Sequence, residues 1–280
     1  MALSELPGPA ELDDTQQQAV SEVIFRMADD EFVLAERYTE WQVRAPTLES
    51  DLAIANIAQD EYGHARLWYD LLEDFGVEEP ELIWERPPGD FRHSTLVELP
   101  IIEGDWADSI LRGYLFDTYE KLHLESIQGS AYPRLRDRVE KVQMEERYHL
   151  EHGQNWLERL CDDEPGREKV QQAFDRLFPY ALTLFEPSEH EADIVELGIR
   201  TEPLADLRAQ WLEITLPFLS SLGLSVPEAE SDLLELPAET GRHGDHTADW
   251  EPLYEDFTHT YRTLGLSTPT KLLKDPDDVK

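Results

Sequence analysis

Residues 57–66 read IAQDEYGHAR, and how Glu61 and His64 are read within that stretch decides the fold. Around them apolar residues recur at steps of three and four: Ile54, Ile57, then 61 and 64, then Trp68, Leu71 and Phe75. That period marks the buried seam of a bundle helix, so Glu61 and His64 stand where Leu or Ile is the usual occupant. Three further segments do the same. Val20, Ile24 and Met27 lead to Glu31, then Leu34, Tyr38 and Trp41; Leu135, Val139 and Val142 lead to Glu146 and His149, then Gly153, Trp156 and Leu160. Trp106, Ile110 and Gly113 lead to Asp117 and Glu120, then Leu124 and Ile127. Unpaired buried carboxylates cost several kcal/mol each, so four helices that aim them inward call for cations.

Working outward, the spacing predicts long helices over about 15–42, 49–75, 105–129 and 134–160, and no stretch alternates as a strand does. Ala45-Pro46-Thr47 separates the first two, with Thr47 the expected N-cap and Ser50 its rival. The connections run short, long, short; the long one, about 30 residues, begins in the Pro/Gly-rich stretch from Glu79 to Gly89. This is the loop pattern of an all-α, ferritin-like four-helix bundle. The bundle is expected over 15–160 and a C-terminal helical appendage over 161–266, with helices at 167–186, 204–222 and 250–264. Pro227 to Asp249, containing Gly241-Arg-His-Gly-Asp-His246, reads as loop, and residues 1–14 and 268–280 as frayed ends.

One carboxylate from each of two helices, with Glu-x-x-His from the other two, is the ligand pattern of di-iron or di-manganese carboxylate proteins. Carboxylates bridge two metals and an imidazole terminates each. The motif alone is weak: a third copy, Glu120-x-x-His123, is read as fortuitous. Register is what lifts the other two. Asp117 follows Glu31 by 86 residues, Glu146 follows Glu61 by 85, and His149 follows His64 by 85. The chain therefore reads as two copies of one helical hairpin, each bringing half a metal site: Glu31, Glu61 and His64, then Asp117, Glu146 and His149. On the third helix spacing leaves Glu120 open as the alternative to Asp117. Glu36, Glu40, Asp60, Asp70, Glu125 and Glu145 lie off the seams and are read as solvated. Tyr62 and Tyr69 are read as packing aromatics, His152 as a face residue, and His93, His190 and His259 carry no signal.

The composition sets the surroundings. Lys and Arg number 24 against 61 Asp and Glu, a formal net charge of −37. A surface this negative repels phosphate backbones and anionic headgroups, so neither nucleic acid nor membrane is an expected partner. The 40% of hydrophobic residues, with 7 Trp, 10 Tyr and 10 Phe, argue for a folded core despite the charge. The acidity is spread over all segments, which fits a high-salt (halophilic) interior better than a docking patch for a basic partner. A single cysteine, Cys161, and a start without an apolar signal segment point to the cytoplasm.

Trp41 to Leu48 (WQVRAPTL), Ile57 to Arg66, Leu115 to Glu120 (LFDTYE) and Glu145 to His152 (EERYHLEH) resemble the ferritin-like subunits of phenylacetyl-CoA epoxidase, an oxygenase of aerobic phenylacetate catabolism. The likeness spans most of residues 20–265 and is nearest to the C subunit. It implies an oxygenase-complex subunit that helps epoxidise the ring of phenylacetyl-CoA. Implied partners are an A-type subunit, further epoxidase subunits and a flavin/iron–sulfur reductase that supplies electrons. Implied cofactors are two iron ions. The A subunit has Asp at the third-helix ligand position, which favours Asp117. The family's C subunit is generally a structural partner with a degraded ligand set, whereas all six positions stand here. A non-catalytic scaffold is therefore the alternative, and ferritin-like iron storage a more distant one.

Overall fold

The computed structural model describes residues 5–101, 104–228 and 235–265, and among these there are helices and turns but no strand. Helix α1, Asp14–Thr39, opens on a capping box in which the Gln16 amide donates to Asp13 Oδ1 (2.9 Å) and the Asp13 amide to Gln16 Oε1 (3.1 Å). Helix α2, Leu48–Glu73, starts at Thr47, whose Oγ1 accepts from the Ser50 amide at 3.2 Å, so Thr47 and not Ser50 is the cap. The long crossover is less loop-like than its composition predicts. It holds two four-residue helices, α3 (Glu79–Leu82) and α4 (Thr95–Glu98), with a 3-10 turn at Pro88–Asp90 between them.

Helices α5 (Trp106–Ile127) and α6 (Pro133–Cys161) form the second hairpin. Helix α5 is buried on nearly every side, because α6, α7 and α9 all pack against it. The rest of the chain supplies α7 (Glu164–Ala181, continued by a 3-10 turn to Phe185), α8 (Glu191–Glu196), α9 (Leu204–Ser221) and α10 (Trp250–Leu264). Helix α8 is not foreshadowed in the sequence: six residues are too few to display a helical period. The expected frayed tail, 268–280, lies outside the described residues, as do 1–4 and 229–234. Among the described residues no helix is long and apolar enough to cross a membrane.

Three consecutive acids on α1, Asp29, Asp30 and Glu31, are all buried, and each has a separate destination. Asp29 takes Arg86 of the crossover (2.7 Å to each carboxylate oxygen) and the Tyr69 hydroxyl. Asp30 takes Arg242 from the stretch before α10 (2.6 Å) and the Ser94 amide (2.7 Å). Glu31 alone is left for the bundle interior.

The same stretch before α10 is tied to the crossover by a second knot, at His93, a histidine without any signal in the sequence. The fully buried Glu98 carboxylate accepts from His93 Nε2 and His246 Nδ1, each at 2.7 Å to Oε2, and from the Thr247 amide at 2.6 Å to Oε1. Burial alone would raise the Glu98 carboxyl, but the His246 and His93 hydrogen bonds outweigh it and hold it at about 2. Burial pushes His93 down to about 4. Both folded values lie below the unfolded ones, 4.5 for Glu98 and 6.5 for His93. Both stabilising contributions are therefore complete only above the unfolded values and are lost as the pH falls, through about 4 for His93 and then about 2 for Glu98. Glu98→Gln should cost about 3 kcal/mol at pH 7, and the gap to wild type in urea midpoints should shrink by pH 3. An unchanged gap at the two pH values would refute the knot as an acid-labile element.

Candidate metal centre

The two hairpins pack so that α2 and α6 run antiparallel, which sets residues 60–64 opposite 145–149. Glu31, Glu61, His64 and Glu146, all buried, each place a ligand atom within 4.8 Å of the others. His149, 1% exposed, joins them through Nδ1, 3.1 Å from Glu146 Oε1 and 3.5 Å from Glu61 Oε1. Asp117, 3% exposed, lies outside the tightest group but near enough for the charges of Glu146 and His149 to act on it. The six positions read from the sequence thus converge on one buried locus. His123 of the third Glu-x-x-His does not join it: its Nδ1 faces the Tyr119 hydroxyl at 3.4 Å.

Each imidazole is held from behind. His64 turns Nδ1 inward, 3.1 Å from Glu31 Oε2 and 3.2 Å from Glu146 Oε1, while Nε2 meets Glu145 Oε2 at 2.7 Å. His149 turns Nδ1 inward and Nε2 towards Asp60 Oδ2 at 3.4 Å. The frames cross: the acid on α6 holds the histidine of α2, and the acid on α2 holds the histidine of α6. Asp60 and Glu145 are 85 residues apart, so the hairpin repeat extends to them. This corrects their reading as solvated. They are half-exposed, yet they fix which ring nitrogen points inward, as carboxylates behind metal-binding histidines commonly do. The signal was present as an acid directly before each Glu-x-x-His.

Other off-seam residues sort differently. Glu40 pairs with Arg37 at 2.5 Å, and Glu36 is half-buried beside Tyr62, with burial pushing it up to about 7. Asp70 and Glu125 are exposed, as their positions off the seam imply. Tyr69 is occupied by Asp29. Tyr38, on sequence simply a member of the core seam, is instead a tyrosine on which the charges of Asp117, Glu61 and Glu146 act. A Cβ on Gly113 would stand 2.8 Å from its hydroxyl, so only glycine there lets Tyr38 reach the Asp117 end.

The electrostatics are those of buried acids that outnumber the two imidazoles among them. Burial, reinforced by mutual repulsion, raises Glu31, Asp117 and Glu120 well above the carboxylate range. Glu146 goes the other way: burial opposes its charge, but His149 and His64 on either side hold it down. Burial would lower His64 and His149, yet contact with Glu146 and its neighbours leaves both raised. Both oxygens of Glu61, both of Glu146, Oδ1 of Asp117, Oε2 of Glu120 and Nδ1 of His149 are buried without a hydrogen-bond partner. The Glu146 approaches to the two imidazoles are charge contacts without hydrogen-bond direction. Buried polar atoms are almost always satisfied, and oxygens with inward imidazole nitrogens are a donor set for hard and borderline divalent metals. The residues present fit a dinuclear carboxylate–histidine centre.

A cavity of about 540 Å³ between α5 and α6 reaches Glu146. A pocket for an apolar substrate is lined predominantly by hydrophobic and aromatic side chains. This one is apolar only at Leu124 and Leu150, and Lys121, Arg147, Glu125 and Glu151 are among the rest of its lining.

A family model described as "Phenylacetic acid catabolic protein" matches residues 4–265. The chain is similar to the C subunit of the 1,2-phenylacetyl-CoA epoxidase of Escherichia coli (strain K12), at 32% identity over 85% of this chain and 94% of that protein. It is also similar to the A subunit of the same epoxidase and strain, at 24% identity over 77% of this chain and 70% of that protein.

Proposed function

The chain belongs to the family of phenylacetic acid catabolic proteins, and from that premise we propose that it is the metal-bearing subunit of an oxygenase complex that epoxidises the ring of phenylacetyl-CoA. The observation that carries the reading is the pair of crossed histidine–carboxylate frames around buried oxygens that no protein donor satisfies. Glu31, Glu61, His64, Asp117, Glu146 and His149 would hold two iron ions, with Glu61 and Glu146 central between the two imidazoles. Iron bound there would supply oxygen activation, with electrons from a separate flavin/iron–sulfur reductase. The chain's own residues do the positioning. Glu145 and Asp60 orient the imidazoles, and Arg86 and Arg242 draw off Asp29 and Asp30 so that Glu31 alone faces the centre.

The polar lining of the cavity favours a second reading, in which the centre is structural and the aromatic ring binds on an A-type partner. Iron content of the purified chain, with phenylacetyl-CoA turnover by the complex reconstituted with Glu61→Ala or Glu146→Ala, separates the two. Two irons per chain, with turnover abolished in the variants, supports catalysis at this centre. Iron lost with turnover kept assigns the structural role. An iron-free wild type in a fully active complex sinks the metal centre altogether.

The spread of −37 charges is proposed as adaptation to a salt-rich cytoplasm. Thermal midpoints should then climb steeply as KCl rises to about 1 M, where the screening length falls to about 3 Å. A flat profile would count against it.

A further inference from the structure

Helix α5 turns two carboxylates inward where α1 turns one. Asp117 answers to Glu31 across the repeat, 86 residues on; 86 residues before Glu120 stands Leu34, fully buried. Glu120 is thus an addition to one half of the repeat. It is 4% exposed, and its Oε2 has no hydrogen-bond partner. The two acids of α5 also diverge. Asp117 has the Tyr38 hydroxyl near it, across Gly113, and the His149 charge acts on it, whereas Glu120 shares the lining of a small cavity with Glu31, and Glu146 and Glu31 bear on its charge. Burying a fifth acid among four costs several kcal/mol, and Leu34 shows that hydrocarbon packs at the equivalent place.

We propose that Glu120 is a seventh donor to the centre, on the Glu31–His64 side. This rests on the dinuclear reading of the site. The Glu31–His64 position then has one more anionic donor than the Asp117–His149 position, so the two metals are held unequally. The extra negative charge also favours the more highly charged oxidation state of the metal it touches.

The test is anaerobic Fe(II) titration of the full chain, followed by the reduction potential of the loaded protein, in wild type, Glu120→Leu, Glu120→Gln and Asp117→Leu. Wild type should take up two equivalents in a tight and a weaker step. Glu120→Leu should keep two equivalents, with the tight step weakened about tenfold. Its ferric-to-ferrous affinity ratio should fall by about tenfold, which is a potential about 59 mV higher for one electron. Glu120→Gln, which keeps the shape, should follow Glu120→Leu. If both Glu120 variants match wild type in affinity and potential, Glu120 is no ligand and only this inference falls. If Asp117→Leu keeps both metals at wild-type affinity, Glu120 is the ordinary ligand of the helix and no seventh donor exists. If wild type takes up no iron, the dinuclear reading falls first and this inference with it.

Discussion

Metal-free protein carrying both Glu61→Leu and Asp117→Leu is expected to resist urea better than metal-free wild type, by about 1–4 kcal/mol. Neither oxygen of Glu61, nor Oδ1 of Asp117, has a hydrogen-bond partner, and both residues are within 3% of full burial. Leucine at these points restores the apolar seam that the flanking residues already follow. Ile57 and Trp68 flank Glu61 on α2, and Ile110 and Leu124 flank Asp117 on α5, all buried. Supplying metal should reverse the order. Each ion present at a hundredfold over its Kd adds about 2.7 kcal/mol to a chain that can bind it, and nothing to one that cannot. Urea melts in chelator and in Fe(II) check both halves. A double variant less stable than wild type without metal would mean that the carboxylates are satisfied by the protein itself, and the case for a cation would lose its energetic footing.

Arg242→Ala should cost about 3–5 kcal/mol, among the largest single losses available outside the core. The Arg242 guanidinium is buried, 2.6 Å from Asp30 Oδ2, and also donates to the Arg92 carbonyl at 2.9 Å. Removing it leaves a buried carboxylate uncompensated one residue from Glu31. Replacing both partners, Arg242→Leu with Asp30→Leu, should recover most of the loss, because the penalty lies in the unpaired charge and not in missing attraction. If the double variant is as weak as the single, the arginine acts through its carbonyl contacts instead. The same variants report on the centre: Arg242→Ala should tighten metal uptake where the double replacement returns it to the wild-type level, since only the former leaves a spare anion beside Glu31.

How much was legible follows from distance along the chain. The four bundle helices and their ends were readable to within about three residues, because a seam of apolar residues repeats locally and Pro46 and Thr47 punctuate it. The six inward acids and histidines were readable for the same reason: each breaks a local period, and the 85-residue repeat sets the breaks in register. Asp60 and Glu145 escaped because a residue just off the seam is solvated or not according to the neighbouring helix, and α6 lies beside α2 by long-range packing. His93, Glu98 and His246 escaped more completely. Their meeting joins residues 148 apart, through segments with no period of their own.

The sequence by itself thus determined the class of the fold, its helical hairpins and the residues that depart from the apolar seam, since periodicity is a property of neighbours in the chain. Only the tertiary structure decided which acid serves which purpose. Asp29, Asp30 and Glu31 are alike on paper. Arg86 and Arg242 claim the first two from distant segments, and Glu31 is left facing unsatisfied oxygens. Charge is a property of a residue, but the cost of burying it is set by what the fold brings within about 4 Å.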